Sequence, residues 1–204
     1  MELTDVAGPL EPGGDHDLER FAGLDLSGQD SSDARFTECV LEDCTVDDVH
    51  LDDARLVDCT LTRLHAGTLH APASTWQDVV VRDCRLGAVP WFGAELTRVE
   101  VHGGKLDYVN LRDAELTDVG LDGCVVGELD LAGARVTRLV LRGCTVRRLD
   151  VTRATLRDVD LRGADLSRVD GIGGLAGATI TEEQLLDLAP ALAGHLGLTV
   201  GPPR

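Results

Sequence analysis

The 204-residue chain is predicted to be an all-β solenoid, a four-sided coil wound around its own core. Three observations predict this. Every fifth residue from Phe21 to Leu166 is Leu, Val, Phe or Trp, with only Ser31, Ala66 and Ala71 departing. The residue two before each centre, from Leu24 to Val169, is Ala, Cys, Val or Leu apart from Gln29, Ser74 and Gly104. This second series also repeats every 20 residues: Ala34, Ala54, Ser74, Ala94, Ala114, Ala134 and Ala154 are all small, whereas Val49, Leu69, Val89, Val109, Leu129, Leu149 and Val169 are larger.

A spacing of five fits neither the helical period of 3.6 nor the strand period of 2. Residues five apart lie on opposite faces of a helix, which excludes a leucine-rich amphipathic bundle. A period held this long marks a repeat architecture. Residues 20 apart share an environment, so each coil has four faces of five residues. At ~4.8 Å between coils, residues 21–170 make about 7.5 coils and a rod roughly 36 Å tall. Aromatic residues are only 3% of the chain, so Leu, Val, Ala and Cys must fill the core, large at each face centre and small two before it.

Residues 1–20, rich in Pro, Gly and acids, are expected to be a flexible acidic lead-in, and residues 21–170 the solenoid. Two places strain the pattern. Residues 64–76 have Ala66 and Ala71 at face centres and a proline, Pro72, without a ladder donor, which predicts a bulge or short loop that keeps the register. Trp91 falls at a centre and Phe92 faces out. The fives stop at residue 170. Residues 171–204 are expected to form a helical cap, with Thr181 and Gln184 as a capping box and Pro190 as a kink. Leu185, Leu188, Leu192 and Leu196 form its apolar stripe, which would cover the last coil or join two copies.

The runs Ala54-Arg-Leu-Val-Asp58, Ala114-Glu-Leu-Thr-Asp118, Ala154-Thr-Leu-Arg-Asp158 and Ala164-Asp-Leu-Ser-Arg168 resemble the A-(D/N)-L-x-x unit of the pentapeptide repeat family. The resemblance covers about residues 21–170. It implies a right-handed quadrilateral β-helix with a short C-terminal helical cap. Members of this size, the fluoroquinolone-resistance proteins among them, bind DNA gyrase as acidic mimics of DNA and dimerise through their C-terminal ends. This chain lacks the register-breaking loops of the plasmid-borne resistance members.

The net charge of −17 argues against nucleic acid or an anionic membrane as a direct partner and for a basic protein surface. It is unevenly spread, at −14 over residues 1–60, −4 over 61–135 and +1 over 136–204. The densest run is Glu42, Asp43, Asp47, Asp48, Asp52, Asp53 and Asp58, two outward positions after each centre, forming a girdle near the N-terminal tip. These are the candidate partner-binding residues. A dimer joined at the C-terminal ends would instead set arginine-bearing coils at its middle, which weighs against mimicry. Without a signal pattern or an apolar run of membrane length, the expected location is cytoplasmic.

No catalytic residue, cofactor or metal is expected. Cys39, Cys44, Cys59, Cys84, Cys124 and Cys144 all fall in the inward small-residue series and have no C-x-x-C spacing, so they are predicted to be structural thiols. His50 and His70 should stack in one column that continues through Asn110, Asp130, Asp150 and Asp170, read as a solvated column lacking a third convergent ligand. The rod offers no evident concave pocket. The functional expectation is a non-enzymatic acidic protein that binds DNA gyrase, possible homodimer included. The alternative is an interaction scaffold with another basic partner.

Overall fold

Residues 20 apart pair along nearly the whole chain. In the computed structural model, which describes residues 3–201, Arg35 pairs with Arg55, Arg55 with Thr75, Thr75 with Glu95, Glu95 with Glu115, Glu115 with Arg135 and Arg135 with Thr155, always in parallel. The product is a parallel β-solenoid of about eight turns with one C-terminal helix. Nearly all face centres are buried, from Phe21 and Leu26 through Leu96, Leu116 and Leu141 to Leu161. All six cysteines are free and buried. Their thiols donate to carbonyls of the preceding coil, Cys44 to Phe21 and Cys124 to Val101, each at 3.4 Å. Burial pushes the Cys44 and Cys84 thiols above their ordinary range.

The polar positions follow from backbone geometry. The second residue after most centres has positive φ, at 56° for Asp48, 56° for Asp53, 54° for Asp58 and 55° for Asp113. Left-handed backbone is costly for most L-residues and least so for Gly, Asn and Asp. That column is accordingly built largely from Asp and Gly, with Leu18, Glu38, Ala73, Arg63, Arg98, Arg138 and Arg153 as exceptions. The residue just before the centre has a different task. Asp130, Asp150 and Asp160 each accept the backbone N–H two residues on, at 3.0, 2.9 and 3.1 Å. This Asx turn fixes the corner and accounts for the D/N of the repeat unit.

Residues 64–76 contain no loop. His65–His70 and Thr75–Arg82 are strands, and Leu69 pairs with Val49 in the common register. Pro72 sits in a turn, where φ near −65° is favourable. The volume missing at Ala66 and Ala71 is taken up by Trp76 and Trp91, packed edge to face with centroids 4.7 Å apart. The Trp76 indole donates to Ser74 Oγ at 2.9 Å, and that hydroxyl donates to the Ala71 carbonyl at 2.6 Å. The register irregularity lies elsewhere, where Arg142 pairs with Gly163.

The N-terminal expectation also needs correction. Residues 4–20 are not a lead-in but a first coil. Thr4–Val6 pairs in parallel with Glu19–Ala22 at an offset of 15, one face short of a full turn. Leu10 is buried, and the His16 ring stacks on Phe36 at 4.7 Å, covering the open end. At the other end the helix Glu182–His195 runs through Pro190 without a break. The capping box is present, with Gln184 N–H donating to Thr181 Oγ1 at 3.1 Å. The Gln184 amide also donates to the Leu161 and Ala164 carbonyls, at 2.7 and 2.8 Å, and so fastens the helix to the last coil. Of the predicted stripe, Leu188 is buried and Leu192 half-buried, while Leu185 and Leu196 are exposed.

Candidate docking surface on the acidic coils

The seven girdle carboxylates all lie outside the core, but they are not equivalent. Glu42 pairs with Arg20, and Asp43 is clasped by Arg63 through two bonds of 2.6 Å. Asp47 Oδ1 accepts the Gly67 and Thr68 N–H groups at 2.6 and 3.0 Å, so it holds a corner of the next coil. Asp48 contacts His70 at 2.9 Å and Asp52 contacts His50 at 3.0 Å. Asp53 and Asp58 are exposed and, among the described residues, make no side-chain hydrogen bond or ion pair. The same holds for Asp33, one coil below Asp53. The N-terminal coils thus present unneutralised carboxylates on corner columns, with an excess of acids around them.

The C-terminal coils differ. Arg138 pairs with Asp118, Arg162 with Asp160, and Arg148 bridges Glu128 at 2.9 Å and Asp170 at 2.6 Å. Arg142, Arg147, Arg153 and Arg157 make no ion pair among the described residues. The column continuing from His70 is not simply solvated, as the sequence suggested. Asp130 is 1% exposed and Asp150 is 7% exposed, and Arg112 donates to Asp130 at 2.6 Å. Arg112–Asp130 and Arg148–Asp170 are diagonal pairs, 18 and 22 residues apart, so a reading by columns of 20 does not find them.

Diagonal geometry also brings Asp48, His50 and His70 together, with one ligand atom from each lying within 4.8 Å of the others. The sequence suggests that no third group converges on the two histidines; the Asp48 carboxylate does. A groove of about 370 Å³ lies between the helix and the last coil, lined in part by Arg162, Asp165, Glu183 and Asp187. The expectation of a rod without concavity fails there. Among the described residues no helix is long and apolar enough to cross a membrane.

Arginine pairing sets an acid limit on stability. Donation from Arg63, Arg98 and Arg138 holds Asp43, Asp78 and Asp118 below the usual carboxylate range. Arg162 holds Asp160 at about 2. Folded values below the unfolded value of about 3.9 stabilise the fold above that pH, and the contribution is lost as pH falls through the folded value. The urea midpoint is therefore expected to drop between about pH 4 and pH 2. Asp160→Asn should remove part of that slope.

The family model described as pentapeptide repeats (8 copies) matches residues 137–170. No curated protein matches it. Among solved structures it is similar to trypsin-treated QnrB1, a plasmid-mediated fluoroquinolone resistance protein, at 18% identity and a TM-score of 0.47, covering 99% of this chain and 100% of that one. Full-length QnrB1 gives 18% identity and a TM-score of 0.41, with 92% of each chain covered. HetL from the cyanobacterium Nostoc, a pentapeptide repeat protein involved in heterocyst differentiation regulation, gives 19% and 0.33, covering 84% of this chain and 91% of that one.

Proposed function

We propose that this chain, whose residues 137–170 match the pentapeptide repeats model, is a non-catalytic docking rod whose acidic N-terminal coils engage a basic protein surface. The concrete partner is DNA gyrase, whose DNA-binding surface the carboxylate-bearing corners would meet in place of a duplex. One observation carries the reading: Asp33, Asp53 and Asp58 project unpaired from the end of the rod that holds nearly all the net charge. Several unneutralised carboxylates on a rigid scaffold steer a cationic surface and cost little to dock, because no side-chain pairing has to be undone first.

A second reading has its own support. Arg142, Arg147, Arg153 and Arg157 would oppose a basic saddle if the C-terminal end lay at its centre. That favours a scaffold bound only through the N-terminal coils, with a partner other than gyrase. A supercoiling assay with purified gyrase separates the two. Inhibition, or protection from quinolone, at micromolar protein supports the gyrase reading. No effect in either assay leaves the scaffold.

A further inference from the structure

We propose that Asp48, His50 and His70 form a surface site for a first-row transition-metal ion, with zinc the natural occupant. His50 and His70 are paired residues of neighbouring parallel strands, Val49–His50 and His65–His70. Their imidazoles stack with centroids 4.3 Å apart and planes 2° from parallel. The corner at Asp48, with φ 56°, turns its carboxylate toward the same spot, and the three ligand atoms lie within 4.8 Å of one another.

The donor chemistry suits zinc. Two imidazole nitrogens and one carboxylate oxygen make a three-ligand set that leaves a coordination position open, whereas magnesium and calcium prefer oxygen alone. His70 Nε2 and Asp48 Oδ1 are 2.9 Å apart. An ion about 2.0–2.1 Å from each would subtend about 90° between them. It would take the place of the proton those two atoms now share. His50 is oriented from behind: Asp52 Oδ2 lies 3.0 Å from Nδ1. With Nδ1 donating there, Nε2 keeps its lone pair for the metal, the usual carboxylate–histidine support of a metal ligand. Closing the site requires the two rings to tilt toward one another about χ2, a torsion with a broad well. Their side chains are 43% and 28% exposed, so nothing packed has to move. An ion here would also offset part of the girdle's negative charge and present its open position to whatever docks beside it.

The test is calorimetric titration of the tag-free full chain with Zn²⁺, accompanied by NMR of the histidine ring protons. The expected result is saturable binding of about one ion per chain, with the His50 and His70 ring signals shifted together. His70→Gln and Asp48→Asn should each weaken binding by about tenfold or more, and Asp52→Asn by about tenfold through loss of orientation. Acidification should weaken it too, since protons compete for the nitrogens. All three substitutions are at the surface, and unchanged circular dichroism would verify the fold. Binding that is undiminished in a His50→Gln, His70→Gln double variant would overturn the proposal. So would ring signals that stay fixed as zinc is added.

Discussion

Replacing Trp76 with alanine is expected to cost about 3–5 kcal/mol of folding stability, read from urea denaturation. Trp76 is 1% exposed and fills a coil whose neighbouring centres are Ala71 and Ala66. Its partners on the coils below and above, Leu56 and Leu96, are themselves buried centres, and Trp91 already meets it edge-on, so the cavity has little to refill it. The loss also removes the indole N–H that the buried Ser74 hydroxyl accepts, leaving that hydroxyl only its bond to the Ala71 carbonyl. Phe92→Ala is the control: Phe92 directly follows Trp91 in the chain but is 48% exposed. Its removal should stay within about 0.5 kcal/mol. A small effect at Trp76 would mean that the centres do not carry the core.

The second large effect is expected at Gly104, where the inward series breaks its own rule. Its φ is 82°, and a Cβ there would run into the backbone carbonyl of Cys84 on the coil below. Gly104→Ala combines a left-handed alanine with overpacking against backbone, together about 2–4 kcal/mol. Gly123→Ala separates the two causes. Gly123 has φ 66° but open space around its Cα, so only the conformational cost applies. Gly123→Asp should recover part of even that, because aspartate holds the same conformation at Asp113 and Asp118.

The coil is legible in the sequence because two residues in every five must enter the core, and a single phase error would bury a charge. Whatever depends on that constraint could be read, including the inward cysteines and the outward girdle. The rest depends on contacts that the constraint does not reach. The first coil is hidden because its offset is 15 and His16 occupies a centre. The strand at His65–His70 reads as an interruption because Trp76 and Trp91, further along the chain, supply the volume that Ala66 and Ala71 lack. Asp47 reads as surface charge but holds the Gly67 and Thr68 N–H groups. Asp53 and Asp58 read purely as charge, though their left-handed backbone also favours aspartate there. The acids therefore have a structural reason to exist beside any functional one, and a test of function has to separate them.

The chain itself suggests how. Arg63, Arg98, Arg138 and Arg153 already adopt the left-handed conformation that Asp53 and Asp58 occupy, so arginine is tolerated at that corner. Asp53→Arg with Asp58→Arg reverses the exposed charge without touching Asp47, the backbone anchor. The decisive measurement is gyrase supercoiling in the presence of the wild-type chain and of this double variant, at equal micromolar concentration and low salt. The proposed docking predicts that the wild type inhibits supercoiling or blocks quinolone action. The variant, with unchanged circular dichroism and thermal midpoint, should need about tenfold more protein for the same effect. A wild type without effect, or a variant that acts equally well, would contradict it.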